Sequence, residues 1–138
     1  MSLSTQDRVA IQEVLARAAY GYDEKALDIL EACLSPDAVF SIQVQGGDVI
    51  GPFEGRDAIM GLYKQSMEQQ TDQRRHVISN VFVMTDSDEP EVISNLSLIA
   101  TEDGKTGLLT AGVYRDQLRR NTTGWQIVKR HLDLDNAY

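Results

Sequence analysis

From His76 onward the hydrophobic pattern repeats every second residue, and the breaks in it are too short for anything but antiparallel pairing. His76–Met84, Glu91–Thr101, Leu108–Arg120 and Trp125–Leu134 are rich in branched and aromatic residues and read as four strands. Between them stand Asp86-Ser87-Asp88-Glu89-Pro90, Glu102-Asp103-Gly104-Lys105 and Asn121-Thr122-Thr123-Gly124. A parallel crossover needs about a dozen residues or more, so these connectors make a meander. A curved meander with one apolar side must be covered, and only helices from the first half of the chain are available to cover it.

The first half supplies three. Ser4 and Asp7 have capping-box spacing, and Ile11, Val14, Leu15, Ala18 and Tyr22 follow at helical period, so a first helix runs to about Tyr22. After a Gly21-Tyr22-Asp23 break, Asp23 to Leu34 resumes the pattern with Leu27, Leu30 and Leu34. Ser35-Pro36-Asp37 is turn chemistry, and Ala38, Phe40, Ile42 and Val44 alternate as a short strand. Gly46-Gly47 and the stretch from Gly51 to Gly55 read as loops. Ile59, Leu62, Tyr63, Ser66 and Met67 mark a third helix ending near Gln70. The expected fold class is α+β: three N-terminal helices on a curved, mainly antiparallel sheet, forming a cone with an internal pocket, as one domain over residues 1–138.

Charge and cysteine content narrow the function classes. With 21 acidic against 13 basic residues the formal charge is -8, which repels nucleic acid phosphates and anionic lipid headgroups, so neither nucleic acid nor membrane is expected as a partner. Arg115, Arg119, Arg120, Lys129 and Arg130 alternate with apolar residues as on the solvated side of a hairpin. The single Cys33 sits at helical spacing from Ile29 and Leu30 and reads as a buried small hydrophobe. No apolar leader or long apolar run is present, so a cytoplasmic location is expected. Two histidines far apart, without a Cys cluster, predict no metal; the lack of a Gly-rich phosphate loop predicts no nucleotide cofactor, and no other cofactor is expected.

Several residues in order then carry a resemblance. Tyr22-Asp23 ends the first helix, and Gly55-Arg56-Asp57-Ala58-Ile59 leads into the third. Arg75-His76 with Asn80 opens a strand, followed by Gly112-Val113-Tyr114-Arg115-Asp116 and by Gly124-Trp125-Gln126-Ile127 with Arg130. Over nearly its whole length the chain resembles a SnoaL-like member of the nuclear transport factor 2-like (cystatin-like α+β cone) superfamily, near scytalone dehydratase and the β subunits of ring-hydroxylating dioxygenases. The resemblance implies that Asp23 and His76 face each other across the pocket and that Tyr22 is similar to the tyrosine beside such a dyad.

A carboxylate on one imidazole nitrogen fixes the tautomer and frees the other nitrogen to take a proton. Tyr22 would polarise a substrate carbonyl, and Tyr20, Tyr63 and Asn95 are expected along the pocket. Each residue also has a structural reading: Asp23 as a helix N-cap, Tyr22 as core, His76 as a strand-start histidine. The sequence departs from scytalone dehydratase in lacking a second pocket histidine, since Ser94, Asn95 and Ser97 occupy the nearest positions and the only other histidine is His131. Two classes stand side by side. One is a cofactor-independent dehydratase or isomerase acting on a small, largely apolar substrate, aromatic, polyketide-like or steroid-like. The other is a noncatalytic binding or structural subunit resembling a dioxygenase β subunit. A small apolar molecule is the expected ligand, with a closed cavity pointing to the first class and a packed, dry interior to the structural role. Self-association as a homodimer or homotrimer is expected under both, with a larger subunit as a further partner.

Overall fold

The computed structural model describes residues 2–138, so that Met1 lies outside the described residues. Helix α1 (Thr5–Asp23) is followed by α2 (Leu27–Ala32), strands β1 (Leu34–Val44) and β2 (Val49–Glu54), α3 (Arg56–Gln69), and strands β3 (Gln73–Thr85), β4 (Glu91–Glu102), β5 (Lys105–Arg120) and β6 (Trp125–Leu134). The strands form one curved, unclosed sheet in the order β2-β1-β6-β5-β4-β3. All neighbouring pairs are antiparallel except β1 and β6, which the intervening helix and strands allow to run parallel.

The expected capping box forms at α1, with the Asp7 amide donating to Ser4 Oγ at 3.0 Å and the Ser4 amide to Asp7 Oδ2 at 2.9 Å. Ile11, Leu15 and Ala18 turn inward and α1 lies against β3 and β6, while α3 covers β1 and β2 with Ile59, Met60 and Met67 buried. The larger of these, Ile11, Leu15, Ile59, Met60 and Met67, each contribute about 1.5–3 kcal/mol on removal from water. Cys33 is buried among them, where desolvation pushes its thiol pKa up.

Three expectations change. The stretch expected as loops contains β2, an exposed edge strand whose Gly51 and Pro52 disguise it; proline is tolerated there because the edge does not require its amide. Strand β1 begins at Leu34 rather than Ala38, with Ser35-Pro36-Asp37 inside it, and the pairing with β6 shifts register between Leu34 and Val39. Asp23 closes α1 instead of capping α2, whose N-cap is Ala26 with no side-chain bond.

Candidate active site

The C-terminal end of a helix repels a carboxylate, because its unpaired carbonyls carry partial negative charge. Asp23 stands there nonetheless, only 6% exposed, held by two donors from one residue. The His76 backbone amide donates to Asp23 Oδ2 at 2.8 Å, and His76 Nδ1 lies 2.6 Å from Asp23 Oδ1. Since an ionised carboxylate only accepts, Nδ1 carries the hydrogen in this pair and a neutral ring keeps its lone pair at Nε2. Among the described residues none hydrogen-bonds Nε2. Gln73 Nε2 donates to the Asp23 carbonyl at 2.8 Å and Arg75 pairs with Glu24, so the start of β3 is stitched to the end of α1 around the dyad.

The His76 ring forms part of the wall of a cavity of about 110 Å³ between the helices and the inner face of the sheet. Tyr22 meets that ring edge-on at 5.0 Å between centroids, and Tyr63 meets Tyr22 at 5.6 Å and Phe40 at 5.7 Å. Leu15, Ile42, Leu62, Ile78 and Leu132 supply aliphatic wall. Desolvation raises the Tyr22 phenol above its ordinary pKa and pushes Tyr63 up to about 12, so both remain neutral hydrogen-bond donors at physiological pH. The Tyr22 hydroxyl donates to Gln70 Oε1 at 3.4 Å, a long bond that a ligand oxygen can replace.

The cavity also holds a charge that the sequence reading put in solvent. Arg130 was expected on a solvated hairpin face, yet it points inward from β6 at 7% exposure. Its Nε and Nη2 donate to Asp116 Oδ1 and Oδ2 at 2.7 and 3.0 Å, and its guanidinium lies 4.0 Å from the Tyr114 ring centroid. The reason is strand parity. The β5–β6 pairing shifts register between Gln117 and Leu118, so Trp125 and Ile127 face inward before the shift and Val128, Arg130, Leu132 and Leu134 after it. A count of alternation that carries Ile127 and Val128 as neighbours on one buried face would have turned Arg130 inward with Asp116 opposite.

Of the other expected pocket residues, Tyr63 lines the cavity, whereas Tyr20 and Asn95 do not. Tyr20 is 56% exposed on the far side of α1, and Asn95 lies on the outer face of β4, because the inward positions there are Val92, Ser94, Leu96 and Leu98. Ser94 is fully buried beside Tyr114, and among the described residues its hydroxyl has no hydrogen-bond partner. His131 is on the outer sheet face, 2.6 Å from Ser41 Oγ through Nδ1 and 2.9 Å from Asp133 Oδ1 through Nε2. Among the described residues no three His, Cys, Asp or Glu side chains gather at metal-binding distance.

A protein-family model described as SnoaL-like domain matches residues 4–131. No curated protein sequence matches the chain. Solved structures do: a Nostoc punctiforme protein of unknown function with a cystatin-like fold superposes with TM-score 0.80 at 20% identity, covering 98% of this chain and 96% of that one. A Catenulispora acidiphila protein in complex with S-DNPA gives TM-score 0.80 at 22% identity, covering 95% of each chain. The candidate β subunit of an aromatic-ring-hydroxylating dioxygenase from Novosphingobium aromaticivorans gives TM-score 0.80 at 14% identity, covering 94% and 90%.

Proposed function

Because this chain belongs to the SnoaL-like domain family, we propose that it binds a small, largely apolar molecule and moves a proton on it, as a cofactor-independent isomerase or dehydratase. The observation that carries the reading is the 2.6 Å contact of Asp23 Oδ1 with His76 Nδ1 on a ring that borders an apolar cavity. The volume, about 110 Å³, is on the scale of cavities that hold a single benzene-sized ring, with more of the ligand extending through the mouth.

In this reading the carboxylate orients the imidazole and stabilises the imidazolium that forms. A C–H bond beside a carbonyl breaks, its proton passes to His76 Nε2, and its electron pair moves onto the carbonyl oxygen as an enolate. The Tyr22 hydroxyl supplies a hydrogen bond to that oxygen. Returned to a different carbon, the same proton completes an isomerisation; delivered to a β-hydroxyl, it completes loss of water. With His131 on the outer face and no second histidine at the cavity, isomerisation makes the smaller demand on this site. The dioxygenase-like relative favours an additional role in assembly with further copies or a larger subunit, supported by Val77, Phe82 and Met84, which lie exposed along edge strand β3.

A thermal-shift screen of small ring compounds against wild type and His76→Ala, with NMR of the hits in D2O, tests the proposal. Compounds that stabilise both proteins and undergo C–H exchange or water loss with wild type alone are expected. Wild type that binds many compounds and transforms none would leave a binding domain without chemistry.

A further inference from the structure

A buried guanidinium at a cavity wall has to spend its hydrogen bonds somewhere, and Arg130 spends only part of them. Asp116 takes Nε and Nη2 in a two-pronged pair, Tyr114 covers one face of the guanidinium, and no hydrogen bond from Nη1 to a described residue accompanies them. Tyr63 lines the same cavity as Arg130, whose positive charge partly opposes the upward push of burial on the phenol pKa. Around this corner the lining is Phe40, Ile42 and Leu132, which offer no acceptor. We propose that Arg130 and Tyr63 form a polar anchor for an acceptor oxygen of the bound molecule, and that this molecule is a neutral ring-bearing carbonyl compound rather than a carboxylic acid.

The charge balance sets the second half of that statement. Two carboxylates, Asp116 and Asp23, stand directly behind the lining residues Arg130 and His76, and the guanidinium groups nearest the cavity are already paired, Arg130 with Asp116 and Arg74 with Asp72. An anionic ligand would add a further negative charge to a poorly solvated space whose nearest guanidinium groups are already paired, which costs more than one hydrogen bond returns. A ketone or aldehyde oxygen accepts the same hydrogen bond without bringing charge. The inference rests on the cavity as the ligand site of the proposed function, but not on the chemistry assigned to His76.

The test compares three probes of similar size, acetophenone, ethylbenzene and benzoate, by NMR titration against wild type, Tyr63→Phe, the paired substitution Asp116→Asn with Arg130→Gln, and His76→Ala. Wild type is expected to bind acetophenone about tenfold or more tightly than ethylbenzene, the worth of a hydrogen bond from a charged donor, and benzoate most weakly. Tyr63→Phe reduces the preference for the ketone and the paired substitution removes it, with circular dichroism confirming that each still folds. His76→Ala retains the preference, so loss of turnover there leaves the anchor standing and separates the two claims. Equal binding of acetophenone and ethylbenzene, tighter binding of benzoate, no binding of any probe, or an undiminished preference in both anchor variants would overturn the inference.

Discussion

Asp23 is held by His76 twice, once through the backbone and once through the ring, which makes its removal a structural and a chemical event together. Asp23→Ala leaves a buried amide and Nδ1 without acceptors and is expected to lower stability by about 1–3 kcal/mol in urea unfolding. Asp23→Asn keeps one acceptor but releases the tautomer, so the fold survives while proton transfer falls by about two to four orders of magnitude, the usual share of general acid–base catalysis. Ser94 gives the opposite sign: its unpartnered hydroxyl is a cost in the native state, so Ser94→Ala should be neutral or stabilising by about 1 kcal/mol in the same measurement. Tyr63 ties stability to alkaline pH. With its folded pKa pushed up to about 12 and an unfolded value near 10, the unfolded chain releases the proton first. The Tyr63 contribution is therefore whole below about pH 10 and falls as pH rises toward 12. Urea midpoints of wild type should decline over that window more steeply than those of Tyr63→Phe.

Among the elements, α1 and the four-strand meander were legible because their periodicity is long and their caps and connectors are local chemistry. Asp23, His76 and Tyr22 were singled out through the resemblance, with Tyr63 as an expected pocket residue; Asp23 and His76 meet, and His76, Tyr22 and Tyr63 line one cavity. Tyr20, Asn95 and Arg130 were misplaced for one kind of reason: which way a side chain faces depends on helix azimuth and strand register, and a single shift reverses a strand from that point on. The same holds in β3, where Asn80, at φ 54, accompanies a register shift that moves the inward residues from Arg74, His76 and Ile78 to Val81 and Val83. Gly21 shows an element depending on one atom. Its helical position favours alanine by about 0.5–1 kcal/mol, but a Cβ there would lie 2.8 Å from the Leu30 backbone nitrogen. The clash is with backbone of the short, uncapped α2, so it wins: Gly21→Ala should lower stability by about 1–3 kcal/mol in thermal unfolding.

At the scale of the whole molecule, a six-stranded sheet curled over its helices leaves a hollow bordered by two hydrogen-bonded pairs. The Asp23–His76 pair was expected from sequence order and stands where α1 meets β3; the Asp116–Arg130 pair was hidden by register and stands across the β5–β6 seam. No described helix is long and apolar enough to cross a membrane. The proposed function depends most on His76 presenting a free Nε2 to a ligand in that hollow. Nitrogen-15 NMR of the labelled imidazole at pH 8.5, above the ordinary histidine range, reads this directly. A hydrogen on Nδ1, a bare Nε2, and a shift of the Nε2 resonance when a ketone probe fills the cavity are predicted; a hydrogen on Nε2, or a ring indifferent to every cavity-binding probe, would contradict the account.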